Sequence, residues 1–131
     1  MLQHNLSAVT AACLMVKRQV FNEIQGFDPK FQLAFGDVDF CLKVRQQGHF
    51  IVWTPYAELY HHESKTRGYE DTEEKLQRYY SEFRVFRNKW PEVLVTGDEY
   101  YNPNLTLEFD DLSLAPVPLN QSPRIIRGFK A

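Results

Sequence analysis

An apolar run at residues 8–16 (AVTAACLMV) is bounded by Ser7 on one side and by Lys17 and Arg18 on the other. A run this short between polar residues has the pattern of a buried strand. Helical spacing follows at once. Residues 19–25 place Val20, Phe21 and Ile24 on one face, Gly26 offers a left-handed C-cap, and Asp28-Pro29 turns the chain. The spacing predicts a second helix over 37–47, with Asp37 and Asp39 at its positive end, Lys43 and Arg45 toward the other, and Gly48 beyond it. Residues 49–53 and 57–61 predict two short strands, split at Thr54-Pro55 because proline cannot donate to a ladder. This alternation of strand and helix argues for an α/β fold.

From Asp71 the period changes. Thr72 offers an N-cap, and Leu76, Tyr79, Tyr80, Phe83, Phe86 and Trp90 form one stripe of a long helix that Pro91 stops. At helical spacing such a stripe reads as core before it reads as a sugar-stacking face. Beyond it, Asn102-Pro103-Asn104, Asp110-Asp111, Pro116, Pro118 and Pro123 break every period, so an extended tail is expected. A length of 131 residues fits one domain, and the tail is set at residues 115–131 after a body of 1–114.

Composition narrows the class. Hydrophobic residues at 44% and charged residues at 24% suit a globular protein rather than a disordered one. Lys plus Arg number 15 against 17 Asp plus Glu, a net charge of -2 that gives no footprint for nucleic acid or anionic lipid. No apolar run reaches the length of about 18 residues that a membrane span needs. Cys13 and Cys41 lie in apolar runs without a secretory signal ahead of them, so buried free thiols and a cytoplasmic location are expected. Thr10 likewise reads as a buried small residue. Aromatic content of 15% exceeds what a minimal core needs and leaves some aromatic surface to contact a partner.

Two strings could carry chemistry. In residues 34–40 (AFGDVDF) a glycine turn delivers two carboxylates to a helix start, where unpaired N–H groups and the dipole keep a carboxylate ionised. An ionised Asp there suits a general base or a metal ligand, and equally a plain capping role. Residues two apart on a helix point roughly 200° apart, so at most one of Asp37 and Asp39 faces a given substrate. In the second string, Tyr60-His61-His62-Glu63-Ser64, imidazoles suit a divalent ion, and Lys65 and Arg67 beside Gly68 suit phosphate or a solvated turn. Adjacent histidines on a strand face opposite ways, and a closed metal site needs more ligands than this pair supplies. A self-contained metal hydrolase therefore ranks last.

The strings AVTAACLMVKRQVFNEIQGFD, FGDVDFCLKVRQQGHFIVWTPYAELYHHESKTRG and YYNPNLTL, in this order, resemble the second half of a family 2 glycosyltransferase of the bacterial cell-surface polysaccharide type. The resemblance spans residues 7 to 114. It implies part of a GT-A fold, a mixed sheet flanked by helices, and an inverting transfer of sugar from a nucleoside diphosphate to a glycan acceptor. It places the catalytic base on Asp37, with Gly36 where Glu or Asn is usual. Asp39 becomes an acceptor-binding carboxylate, and His61 a ligand of Mn²⁺ or Mg²⁺. Lys65 and Arg67 become phosphate-binding groups on the loop over the diphosphate. The family's donor-binding half, with its own Asp-x-Asp motif, is not found ahead of Ser7, which implies an acceptor-side portion that is inactive alone. Sheet edges left bare would favour a homodimer, and the full-length protein would sit peripherally at the inner face of the membrane. The competing expectation is a non-catalytic glycan-binding or assembly module on the same scaffold.

Overall fold

The computed structural model describes residues 2–62, 72–109 and 111–116. The chain is mixed α/β, with a two-stranded antiparallel sheet and four α-helices among the described residues. It divides into two compact units, Met1–Lys89 and Trp90–Ala131.

In the first unit, β1 (His4–Leu6) pairs with β2 (Ile51–Trp53) in the register His4 to Trp53, Asn5 to Val52 and Leu6 to Ile51. The sequence pattern gave no sign of β1, while β2 lies inside the strand expected at 49–53. The apolar run at 8–16 forms no strand. Thr10 turns its hydroxyl onto the Ala12 N–H at 3.3 Å and caps a 3-10 turn at Ala11–Cys13. A side chain that satisfies its own backbone competes with the ladder, and here the local bond prevails. Thr10 and Cys13 are consequently exposed, against expectation, and Cys41 alone of the two cysteines is buried. Residues 57–61 also form no strand: the Tyr56 N–H meets the Thr54 hydroxyl at 3.4 Å in a turn, and the chain beyond it is exposed.

Helix α1 (Arg18–Glu23) and helix α2 (Gly36–Gln46) match the expected helices to within two residues. They meet through Val20 on α1, Ile24 at its C-cap, and Phe40 and Val44 on α2, with Leu14, Val16 and Ile51 packed around that cluster. Phe27 stacks on Phe40 at 4.5 Å, and Phe21 meets both rings. Gly26 closes α1 with φ 61°, donating to the Phe21 carbonyl at 2.8 Å. The α1 carbonyl ends are bound from outside as well, since the Lys43 ammonium of α2 donates to the carbonyls of Ile24 and Gly26. Such a cation at a helix C-terminus satisfies orphan acceptors and complements the dipole.

Helix α3 (Glu73–Lys89) starts behind Thr72, whose hydroxyl accepts the Lys75 N–H at 3.4 Å. The expected stripe is only partly inside. Phe86 is buried and Tyr79 and Phe83 are half-buried, whereas Leu76 and Tyr80 are 37% and 46% exposed.

In the second unit, Pro91 does more than end α3: it opens α4 (Pro91–Thr96) as its first residue, where a missing N–H costs nothing. The expected irregular tail is partly ordered by its own turn chemistry. The Asn102 side chain accepts the Asn104 N–H at 3.0 Å, and Leu105 then pairs antiparallel with Leu114. Buried Thr106 donates its N–H to the Ser113 carbonyl at 2.9 Å, and the Tyr101 hydroxyl donates to the Thr106 carbonyl at 2.6 Å. Residues 117–131 of the expected tail lie outside the described residues.

Candidate functional site

The site grows from the segment that leads into α2. Phe35 immediately precedes the helix with φ 62° and ψ -5°, a left-handed conformation that a bulky residue holds only under constraint. Helix α3 supplies the constraint. The Phe35 ring packs on Tyr79, Phe83 and Phe86 with centroids 5.3, 5.8 and 5.1 Å away. The backbone just before it is gripped by Glu82, which is 3% exposed. Its carboxylate accepts the N–H groups of Gln32 at 3.1 Å, Leu33 at 3.1 Å and Ala34 at 2.8 Å. Hydrogen bonds to a charged partner contribute about 1.5–3 kcal/mol each, and three successive amides turned onto one carboxylate fix the course of this segment.

Asp37 follows in the first turn of α2, half-buried on the wall of a cleft of about 230 Å³ that Ala11, Phe31, Ala34 and Phe35 help to line. One carboxylate oxygen accepts the Val38 N–H at 2.9 Å, and the other accepts the Ala11 N–H of the 3-10 turn at 3.4 Å. Two amide donors and the first turn of α2 thus fix the carboxylate in place where it lines the cleft. At Gly36 a Cβ would come 3.4 Å from the Phe31 carbonyl oxygen, so a slightly shifted backbone would admit the Glu or Asn usual in the resembled family.

Asp39 points the other way, as the helical period requires, and has no exposed surface. Lys89 of α3 meets one oxygen at 2.7 Å, and Lys43, one turn along α2, stands 3.9 Å from the other. The same Lys89 ammonium reaches Asp28 at 3.1 Å. Burial pulls Lys89 down, but hydrogen bonds to Asp39 and Asp28 outweigh it and leave its pKa raised. The Asp28 carboxyl is held below its ordinary value by the Lys30 N–H first and by Lys89 as well. Burial lowers the Lys43 ammonium, with Asp39 opposing the shift. Expected to touch an acceptor, Asp39 instead anchors α3 to α2 from inside.

His61 is exposed beyond β2. Lys65 and Arg67 lie outside the described residues. Among the described residues, no three His, Cys, Asp or Glu side chains converge to hold a metal ion, so they make no complete seat for Mn²⁺ or Mg²⁺. No helix among the described residues is long and apolar enough to cross a membrane. The motifs do not single out Glu82 and Lys89, although a signal exists: Glu82 falls three residues after Tyr79 and four before Phe86, and Lys89 three after Phe86, as charges on an apolar stripe.

Comparison with known proteins adds relatives of much greater length. The chain is 49% identical over 115 residues to the uncharacterized protein y4gI of Sinorhizobium fredii, covering 87% of this chain and 12% of that protein. It is 37% identical over 114 residues to the O-antigen biosynthesis protein RfbC of Myxococcus xanthus, covering 87% of this chain and 8% of that protein. Over 60 residues, 46% of this chain, it is 32% identical to 20% of the N-acetylglucosaminyl-diphospho-decaprenol L-rhamnosyltransferase of Mycobacterium tuberculosis. The chain thus spans a small fraction of the length of these curated relatives. No family model matches it, and no solved structure matches it.

Proposed function

We propose that this chain is the acceptor-side part of an inverting glycosyltransferase that moves a sugar from a nucleoside diphosphate to a cell-surface polysaccharide acceptor. The observation that carries the reading is Asp37: a carboxylate held at a helix start by two backbone N–H groups, on the wall of an open cleft. Similarity to an O-antigen biosynthesis protein and to a rhamnosyltransferase supports the substrate class.

In this reading an acceptor hydroxyl enters the cleft and donates its proton to Asp37 as its oxygen attacks the anomeric carbon. The bond to the diphosphate oxygen breaks, the nucleoside diphosphate leaves with the electron pair, and the configuration inverts. A positioned base of this kind contributes about 10²–10⁴-fold. Asp39 takes no part in the transfer and holds α2 in place. His61 would lend one imidazole to a divalent ion such as Mn²⁺ or Mg²⁺ that needs further ligands from beyond the described residues, and Lys65 and Arg67 would neutralise the leaving diphosphate.

The test is made in the full-length protein. Asp37→Asn should lower transfer by at least about 10²-fold while calorimetry finds nucleotide-sugar binding unchanged, because the base acts only as the hydroxyl attacks. Transfer at the wild-type rate would remove Asp37 from the chemistry. In the same assay, His61→Ala should raise the metal concentration needed for half-maximal rate, and an unaltered requirement would exclude the imidazole as a ligand.

A further inference from the structure

We infer that Glu82 is a positioning residue for the transfer reaction, acting through the backbone of residues 32–34 to set where Asp37 stands in the cleft. The inference rests on the reading of Asp37 as the base. A carboxylate 3% exposed, in the middle of a helix face otherwise occupied by Tyr79, Phe83 and Phe86, is costly to bury unless its acceptors are filled. They are filled by three consecutive amides of one segment, about fifty residues away in sequence (|i−j| of 50, 49 and 48). No helix or sheet ladder engages those amides, because the segment lies between α1 and α2. Glu82 is thus what turns the amides of residues 32–34, which line the cleft, toward α3.

The consequence for Asp37 is geometric. Between Ala34 and Asp37 stand only Phe35, in the left-handed region, and Gly36. A left-handed Phe persists only where its surroundings over-determine it. Here α3 fixes it twice, through the ring of Phe35 and through the amides before it. Releasing the amides would let Phe35 return toward an ordinary conformation and swing the first turn of α2, which carries Asp37. Lys89 grips Asp39 from the same helix at 2.7 Å, so α3 meets both the approach to the site and the helix behind it. A misplacement of the base by about 1 Å can cost about 10²-fold in rate.

Glu82→Gln keeps the shape but turns an amide donor toward at least one of the three N–H groups. In the full-length protein it should lower kcat by about 10–10²-fold with KM for the sugar donor within about twofold of wild type. Glu82→Ala should fall further, and the kcat–pH profile of Glu82→Gln should shift on its acid limb as the surroundings of Asp37 change. Amide exchange at residues 32–34, read on the same protein, should quicken. Wild-type kcat alongside quickened exchange would overturn the inference, and so would unchanged exchange. A fall in activity matched by the fraction of unfolded protein, with an unmoved pH profile, would reduce Glu82 to fold maintenance and overturn it too. Failure of the base itself is seen separately, as activity retained by Asp37→Asn.

Discussion

Asp37 and Asp39 stand two positions apart and do opposite work. The helical period alone sends one to the cleft and the other into the interior. Which goes where is decided by Lys89, a distant residue at the end of α3, so the sequence could exclude a shared face without choosing between them. Gly26 is a simpler case, legible in the sequence and required by the structure. Its φ is 61°, and an added Cβ would come within 2.7 Å of the Phe21 ring. Gly26→Ala should therefore cost about 1–2 kcal/mol for the left-handed backbone alone, with more for shifting a ring packed on Phe27 and Phe40. Urea denaturation of the chain measures it, and an unchanged midpoint would show that the turn relaxes freely.

At the scale of elements, helices were more legible than strands. Helices α1 and α2 carry their own stop signals in Gly26 and Gly48, and Thr72 announces α3. Strand character depends on a partner elsewhere in the chain. Residues 8–16 have the composition of a strand, yet one Thr10 hydroxyl bond suffices to turn them another way. The roles of the charges on α3 are not legible in the sequence because their partners, residues 32–34 and Asp39, are brought to them only by the fold. Those charges give α3 a measurable dependence on pH. The pKa of Asp28 is lowered, so its contribution is full above the ordinary carboxylate value of about 4 and is lost as pH falls through the lower folded value. The pKa of Lys89 is raised, so its contribution is full below about pH 10.4 and is lost as pH rises through the higher folded value. Lys89→Met should flatten the alkaline loss. It should also destabilise the fold by up to about 3 kcal/mol, the lower range for breaking a buried pair, because the ammonium is 33% exposed. Thermal unfolding across a pH series checks both, and a parallel alkaline slope in the variant would show that the ion pair does not set it.

For the molecule as a whole, the α/β class was legible because helix and strand signals alternate along the chain. Of the mixed sheet flanked by helices that the resemblance implies, the described residues show a two-stranded antiparallel sheet and four α-helices. Several large apolar side chains of the first unit face solvent near that sheet in sequence, with Phe50 at 70%, Val52 at 56% and Tyr56 at 81% exposed. Surfaces of this kind favour association. The isolated chain is expected to self-associate through them, with sedimentation giving a mass that rises with concentration. Val52→Lys should restore a monomer, whereas a wild-type monomer at every concentration would rule the association out.

The two cysteines have an experimental use that follows from the 3-10 turn. Cys13 is exposed at the end of the turn whose Ala11 N–H meets Asp37, while Cys41 is buried with its thiol pushed up by desolvation and its hydrogen turned to the Val9 carbonyl. Thiol reagents need the thiolate and a path to it. A maleimide fluorophore should thus attach at position 13 of the native chain without engineered mutations. It would place an optical reporter two residues from the amide that touches the proposed base, where an arriving acceptor could be watched by a change in emission.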